Sequence, residues 1–266
     1  MESIPPLLTP PVNRRRWWIH LLLMVAYIVF AGISGWRRDS SQAPALSHSI
    51  KGLLWVCAFQ LLLFGLIFGL ACRVSHVTRD QLRLRWRGGF KPVLFGMIYS
   101  VGLRVGIGLL MFVGALALVF TRMMTPDGLK DFAIAHRPDA EALVDVAALS
   151  HNPVYYWFTL TIVSFVVAAL REELWRSAFL AGLAELWPRQ FGSRAGQIGA
   201  VFIVAFFFGM AHGAQGGLAM VMAGLLGVGL GLIMVWHRSI WPAVMAHGFF
   251  DATSFAVLPW ALKHVG

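Results

Sequence analysis

The chain has 266 residues, of which 58% are hydrophobic and only 13% charged, about half the charged fraction of an ordinary soluble domain. That balance excludes a cytosolic globular enzyme, because so few charges would leave large apolar patches in water. Lipid is the expected solvent for most of the chain. The net charge of +10 is assigned first to loops beside membrane spans, so no nucleic-acid partner is expected.

Apolar runs near twenty residues long predict helical spans at 17–35, 53–72, 92–120, 154–187, 196–212, 217–236 and 241–261. The expected fold is all-α, a polytopic transmembrane bundle of about seven spans. Residues 1–153 hold the N-terminal spans and their loops, and 154–262 form a helical core from the last four spans. Arg14, Arg15 and Arg16 precede the first run, and Arg37 and Arg38 follow it where a signal peptide would carry small residues, so the run reads as an uncleaved anchor. Together with the arginines between Arg73 and Lys91, the N-terminal arginines predict that the N-terminus is cytoplasmic. Cys57 and Cys72 lie about 22 Å apart along one predicted helix, too far for a disulfide.

The acidic, proline-bearing stretch 121–151 is expected to be a loop with a short helix opened by Asp139 after Pro138. Leu143, Val146, Ala147 and Leu149 of that helix would rest on the membrane or roof a cavity, and a solvated connector is the simpler reading. The basic 73–91 loop reads as a contact for anionic lipid.

Within the spans the ionisable residues are His20, Arg104, Arg171, Glu172, Glu173, Arg176, Glu185, His212, His247 and Asp251. A charge at membrane depth costs about 2.5–3.5 kcal/mol even on insertion scales, so these groups should face an interior and have partners. Eight of the ten fall in the last 100 residues. Glu172 and Glu173 point about 100° apart on a helix, with Arg176 one turn on. Two readings are open there: buried pairs neutralised by Arg171 and Arg176, or a catalytic carboxylate. His212 and His247 each sit in an Ala-His-Gly tripeptide, where small neighbours let helices approach. Asp251 shares a helix face with His247. His20 has no ionisable companion in its span and reads as a packing residue, and His237 as a loop residue.

Two imidazoles with several carboxylates can hold a water or a metal and take a proton from it, which indicates hydrolysis. A serine or cysteine nucleophile is disfavoured, since no GxSxG elbow is present and both cysteines lie in a run without His or carboxylate.

The ordered set Glu172-Glu173…Arg176, Phe208-x-x-x-His212 and His247-x-x-x-Asp251 resembles the three motifs of the CPBP intramembrane protease family. That family includes the CAAX prenyl endopeptidases and the Abi-type bacteriocin-processing and immunity proteins. The resemblance covers about 154–255. It implies a multi-pass protein of a bacterial plasma membrane that cleaves membrane-associated proteins or peptides within the bilayer. It further implies that Glu172 activates water, that Glu173 pairs with Arg176, and that His212, His247 and Asp251, with Glu172, bind the water or a divalent metal, zinc first. The family usually has three residues between the Glu pair and the Arg, and here only Leu174 and Trp175 intervene. Alignment on Arg176 instead would put Glu172 in the second Glu's place and Arg171 in the first. A non-catalytic scaffold or immunity-type protein is the alternative, and a proton-coupled transporter is a weaker one for want of an inverted repeat.

For His212 to reach the depth of Glu172 and His247, the fifth span must stop short, and Gly213, Gly216 and Gly217 mark the expected break.

Overall fold

The computed structural model describes residues 13–36, 45–139, 141 and 143–265. Arg37 and Arg38 lie outside them. The fold is all-α, with no strand among the described residues. In chain order the elements are α1 (Arg14–Trp36), α2 (Ile50–Ser75), α3 (Lys91–Phe120), α4 (Pro126–Ala135), α5 (Val146–His151) and α6 (Pro153–Phe158). A π-helical segment (Thr159–Leu170) then runs into α7 (Arg171–Leu186), followed by α8 (Pro188–Phe191), α9 (Arg194–Ala211), α10 (Gly217–His237) and α11 (Trp241–Val265).

Six stretches are long and apolar enough to cross a membrane: 14–34, 50–75, 91–120, 153–186, 194–211 and 217–237. They make the chain an integral, multi-pass membrane protein. The seventh expected span is α11. At 25 residues it is about 37 Å long, but His247, Asp251 and two prolines lower its apolar character.

Helices α9 and α10 pack side by side, α11 lies between the π-helical segment and α3, and α1 packs on α2 and α7. Close approach needs small residues. A Cβ on Gly96 of α3 would lie 2.2 Å from the Met245 Cβ and 2.9 Å from the Ala246 nitrogen of α11. His20 is buried at the junction of α1, α2 and α7. Its Nε2–H donates to the Ala178 carbonyl at 3.0 Å, and its Nδ1 lies 3.0 Å from the Ser75 hydroxyl oxygen.

The basic segment between α2 and α3 is stitched to the bundle more firmly than a lipid contact requires. Arg83 donates to Gln197 of α9, Gln81 to Glu185 of α7, and the Leu82 and Leu84 carbonyls accept from Ser177 and Trp241. Burial holds the Arg83 guanidinium below its usual pKa.

The stretch 121–151 departs from expectation in two ways. Among its described residues are two helices, and the second is opened by Asp145, whose side chain accepts from the Ala148 N–H at 2.8 Å, rather than by Asp139. The Asp139 N–H instead donates to the Gln215 carbonyl at 3.1 Å. The stretch is also more than a connector. Leu46 N–H donates to the Leu143 carbonyl, His48 pairs with Asp145, and Leu46, Pro138, Leu143 and Gln215 line the main cavity. The Ala148 N–H, and then the His48 side chain, hold the Asp145 carboxyl below the usual carboxylate range.

A depressed carboxyl stabilises the fold above its unfolded pKa, and the contribution is lost as pH falls through the folded value. Asp145→Ala is therefore expected to cost about 1 kcal/mol at neutral pH. The difference in melting temperature from the unsubstituted protein should shrink as the pH is taken below about 4; a pH-independent difference would contradict the cap.

Candidate active site

The π-helical segment supplies Val163, Ser164 and Val167 to the interior and leads directly into the Glu pair. A π-helix bonds i to i+5 and turns less per residue than an α-helix. The Glu172 face is thus rotated from where an unbroken α-helix from Pro153 would put it. The Ser164 hydroxyl follows the wider winding by donating to the Thr159 carbonyl at 2.9 Å.

The two glutamates separate into different environments. Glu173 is fully buried, forms an ion pair with Arg176, and accepts from His247 Nδ1 at 3.1 Å. Glu172 lines the cavity, holds Arg171 at 2.9 Å, and turns Oε2 toward His247 Nε2 at 3.7 Å. The pairing alternative is realised in both halves, Arg171 with Glu172 and Arg176 with Glu173, without removing Glu172 from the cavity wall. Shortening the Glu–Arg spacing preserves the buried pair, because Glu173 and Arg176 at i and i+3 still share a face.

His247 is the centre of the cluster. Its Nδ1 faces Glu173, and its Nε2 faces Glu172 and, at 3.5 Å, Asp251. Gly248 next to it meets Phe165 of the π-helical segment, where a Cβ would come within 2.3 Å of the ring. The small neighbour of His247 thus permits the close crossing expected of it.

Helix α9 ends at Ala211, a short 3-10 turn covers Gly213–Gln215, and Gly216 has φ +98°. The expected break is present. It puts His212 on the cavity wall, with Nδ1 donating to the Phe208 carbonyl at 2.8 Å and Nε2 left for the interior. The Phe208 ring lies 4.6 Å from the His212 ring and 6.3 Å from the His247 ring, and the Arg176 guanidinium stacks on it at 4.7 Å.

All six residues singled out from the sequence therefore meet. Glu172, His212, His247 and Asp251 line one cavity of about 490 Å³, while Glu173 and Arg176 lie behind it. The walls are mainly apolar, with Trp175, Phe208, Met222 and Phe250 among them.

Two residues were missed as participants. Gln60 of α2 lines the cavity and accepts from Arg171; a lone neutral amide in an apolar run gave no signal. Arg104 of α3 binds the Phe250 carbonyl and the Thr253 and Ser254 hydroxyls, stacks on the Phe250 ring at 4.1 Å, and lies within electrostatic reach of Asp251. Its mid-span position was visible, but its partner was not.

Among the described residues, no three His, Cys, Asp or Glu side chains converge in a geometry able to hold a metal ion. The four donors expected to bind zinc share a cavity without forming a cage, and the chemistry below is derived from the protein's own groups.

Glu173→Ala leaves the Arg176 charge buried without its ion-pair partner, a change that costs about 3–5 kcal/mol. Glu172→Ala at the cavity wall is expected to lower thermal stability less. Equal losses in melting temperature would contradict the division of roles.

Residues 153–253 match the family model described as Type II CAAX prenyl endopeptidase Rce1-like. The match spans every motif residue, from the π-helical segment to the Asp251 turn, and bears out the recognition of the CAAX protease family over this segment. No curated protein and no solved structure matches the chain.

Proposed function

We propose that this CAAX-protease-type segment is the working core of an intramembrane endopeptidase that hydrolyses peptide bonds of membrane-associated proteins or peptides. The observation that carries the reading is one cavity lined by Glu172, His212, His247 and Asp251, with Glu172 and His247 separated by a gap wider than a hydrogen bond. A water between Glu172 Oε2 and His247 Nε2 can approach both.

In the proposed reaction Glu172 takes a proton from that water, and the water oxygen adds to the peptide carbonyl carbon. His212 and His247, whose Nδ1 protons go to Phe208 and Glu173, stabilise the oxygen on which negative charge develops as imidazolium rings with a second proton on Nε2. The C–N bond then breaks, and Glu172 returns the proton to the leaving amine, giving a carboxylic acid terminus and an amine terminus. Glu173 does not meet substrate. It holds His247 by Nδ1, which fixes the ring and directs Nε2 into the cavity. The apolar walls keep bulk water from the reacting groups.

Were zinc bound, Glu172, His212, His247 and Asp251 would hold it and it would polarise the water and the peptide carbonyl; no step is routed through it. The membrane is proposed to be a bacterial plasma membrane with the N-terminus cytoplasmic, the side on which Arg14 to Arg16 and the Arg73–Lys91 segment would lie. A membrane-impermeant thiol label should reach Arg87→Cys from the cytoplasmic face alone; labelling from the other face would invert the orientation.

The function is tested by cleavage of membrane-tethered peptides with purified protein. Glu172→Ala and His247→Ala are each expected to lower kcat by about a hundredfold or more. Full activity in Glu172→Ala would remove the proposed base, and loss on chelation restored by zinc would put a metal into the mechanism.

A further inference from the structure

Residues adjacent in a helix do not face each other, yet Arg171 contacts its neighbour Glu172, with Nη2 donating to Oε1 at 2.9 Å. For that contact to persist, the arginine side chain must be held from outside its own helix. Gln60 does this from α2, accepting from Nη1 of the same guanidinium. Both Gln60 and Arg171 line the cavity, and the Arg171 side chain is only 16% exposed.

A planar guanidinium gripped at one edge by an amide oxygen and at another by a carboxylate has little rotational freedom. One oxygen of Glu172 is thereby tied, and the other is left facing His247 Nε2. A glutamate has three rotatable bonds, and without that tie Oε2 would sample orientations away from the imidazole.

We propose that Gln60 and Arg171 are positioning residues, a relay from α2 that fixes the cavity-facing oxygen of Glu172 for proton transfer. The relay rests on the hydrolytic reading above. It gives the N-terminal spans a part in the site, although the motif residues all lie beyond residue 170. It also assigns a role to the arginine that directly precedes the Glu pair: Arg171 does not substitute for a glutamate, it sets the one that follows.

The experiment compares Gln60→Leu, Arg171→Gln, the double variant and Glu172→Ala in the same cleavage assay, with thermal melting to confirm folding. Each single variant is expected to lower kcat about tenfold or more while KM stays within about twofold. The double variant should be no slower than Arg171→Gln, because both substitutions break one chain of contacts. If Arg171→Gln does not fold, Gln60→Leu decides, since it leaves every charge in place. Unchanged kcat in Gln60→Leu, a rise in KM at constant kcat, or multiplicative losses in the double variant would each overturn the relay. Glu172→Ala separates the two failures. If it is inactive while Gln60→Leu is fully active, only the relay falls; if it still cleaves, Glu172 is not the base and the relay falls with that assignment; and if the unsubstituted protein does not cleave, the hydrolytic reading falls and the relay with it.

Discussion

One imidazole with three carboxylates around it, inside a bundle whose solvent is lipid, is the constraint that the rest of the structure answers. His247 has Glu173, Asp251 and Glu172 at 3.1, 3.5 and 3.7 Å. Coulomb energies between such groups grow as the dielectric falls, and an unmatched charge there would expel the cluster or unfold the core. The chain supplies an arginine for each acid. Arg171 pairs with Glu172, Arg176 with Glu173, and Arg104 grips the backbone and hydroxyls on either side of Asp251. The arginines reach the site from different directions, so the cluster couples α3, α7 and α11 into one unit.

The geometry of the helices follows from the need to bring these groups together without exposing backbone to lipid. The π-helical segment turns Glu172 toward the cavity, and the stop after Ala211 leaves His212 at its wall. Phe208 packs between the imidazoles and Arg176, so an apolar ring organises the polar groups around it. Glycines at 96 and 248 permit the crossings of α11 with α3 and with the π-helical segment. Pro138 and Leu143 line the cavity, the Leu143 carbonyl accepts from the Leu46 N–H before α2, and the Asp139 N–H donates to the Gln215 carbonyl after His212.

Much of this was legible in the sequence because charge is scarce in it. Glu172, Glu173, Arg176, His212, His247 and Asp251 stand out where acids and bases are costly, and their spacing carries the family resemblance. The glycine break after His212 was legible from the depth that His212 had to reach. What escaped were features whose signal is tertiary. Gln60 is neutral and solitary in α2, and only its contact with Arg171 gives it meaning. The two alignments of the Glu pair differ by one residue, and only the environment of each carboxyl separates them. Asp139 and Asp145 are equally good caps by residue type, and the one that opens the helix is decided by where His48 and the Ala148 N–H lie. The π-helical winding has no marker in a run of Val, Ile, Leu and Ala that suits an α-helix at membrane depth.

The central claim is the division of labour between the adjacent glutamates, and a high-resolution crystal structure of the purified protein in lipid tests it most directly. The account predicts Glu173 turned away from the cavity onto Arg176 and His247 Nδ1. It also predicts an ordered water within hydrogen-bond reach of both Glu172 Oε2 and His247 Nε2. Glu173 facing the cavity, with Glu172 buried against Arg176, would contradict it.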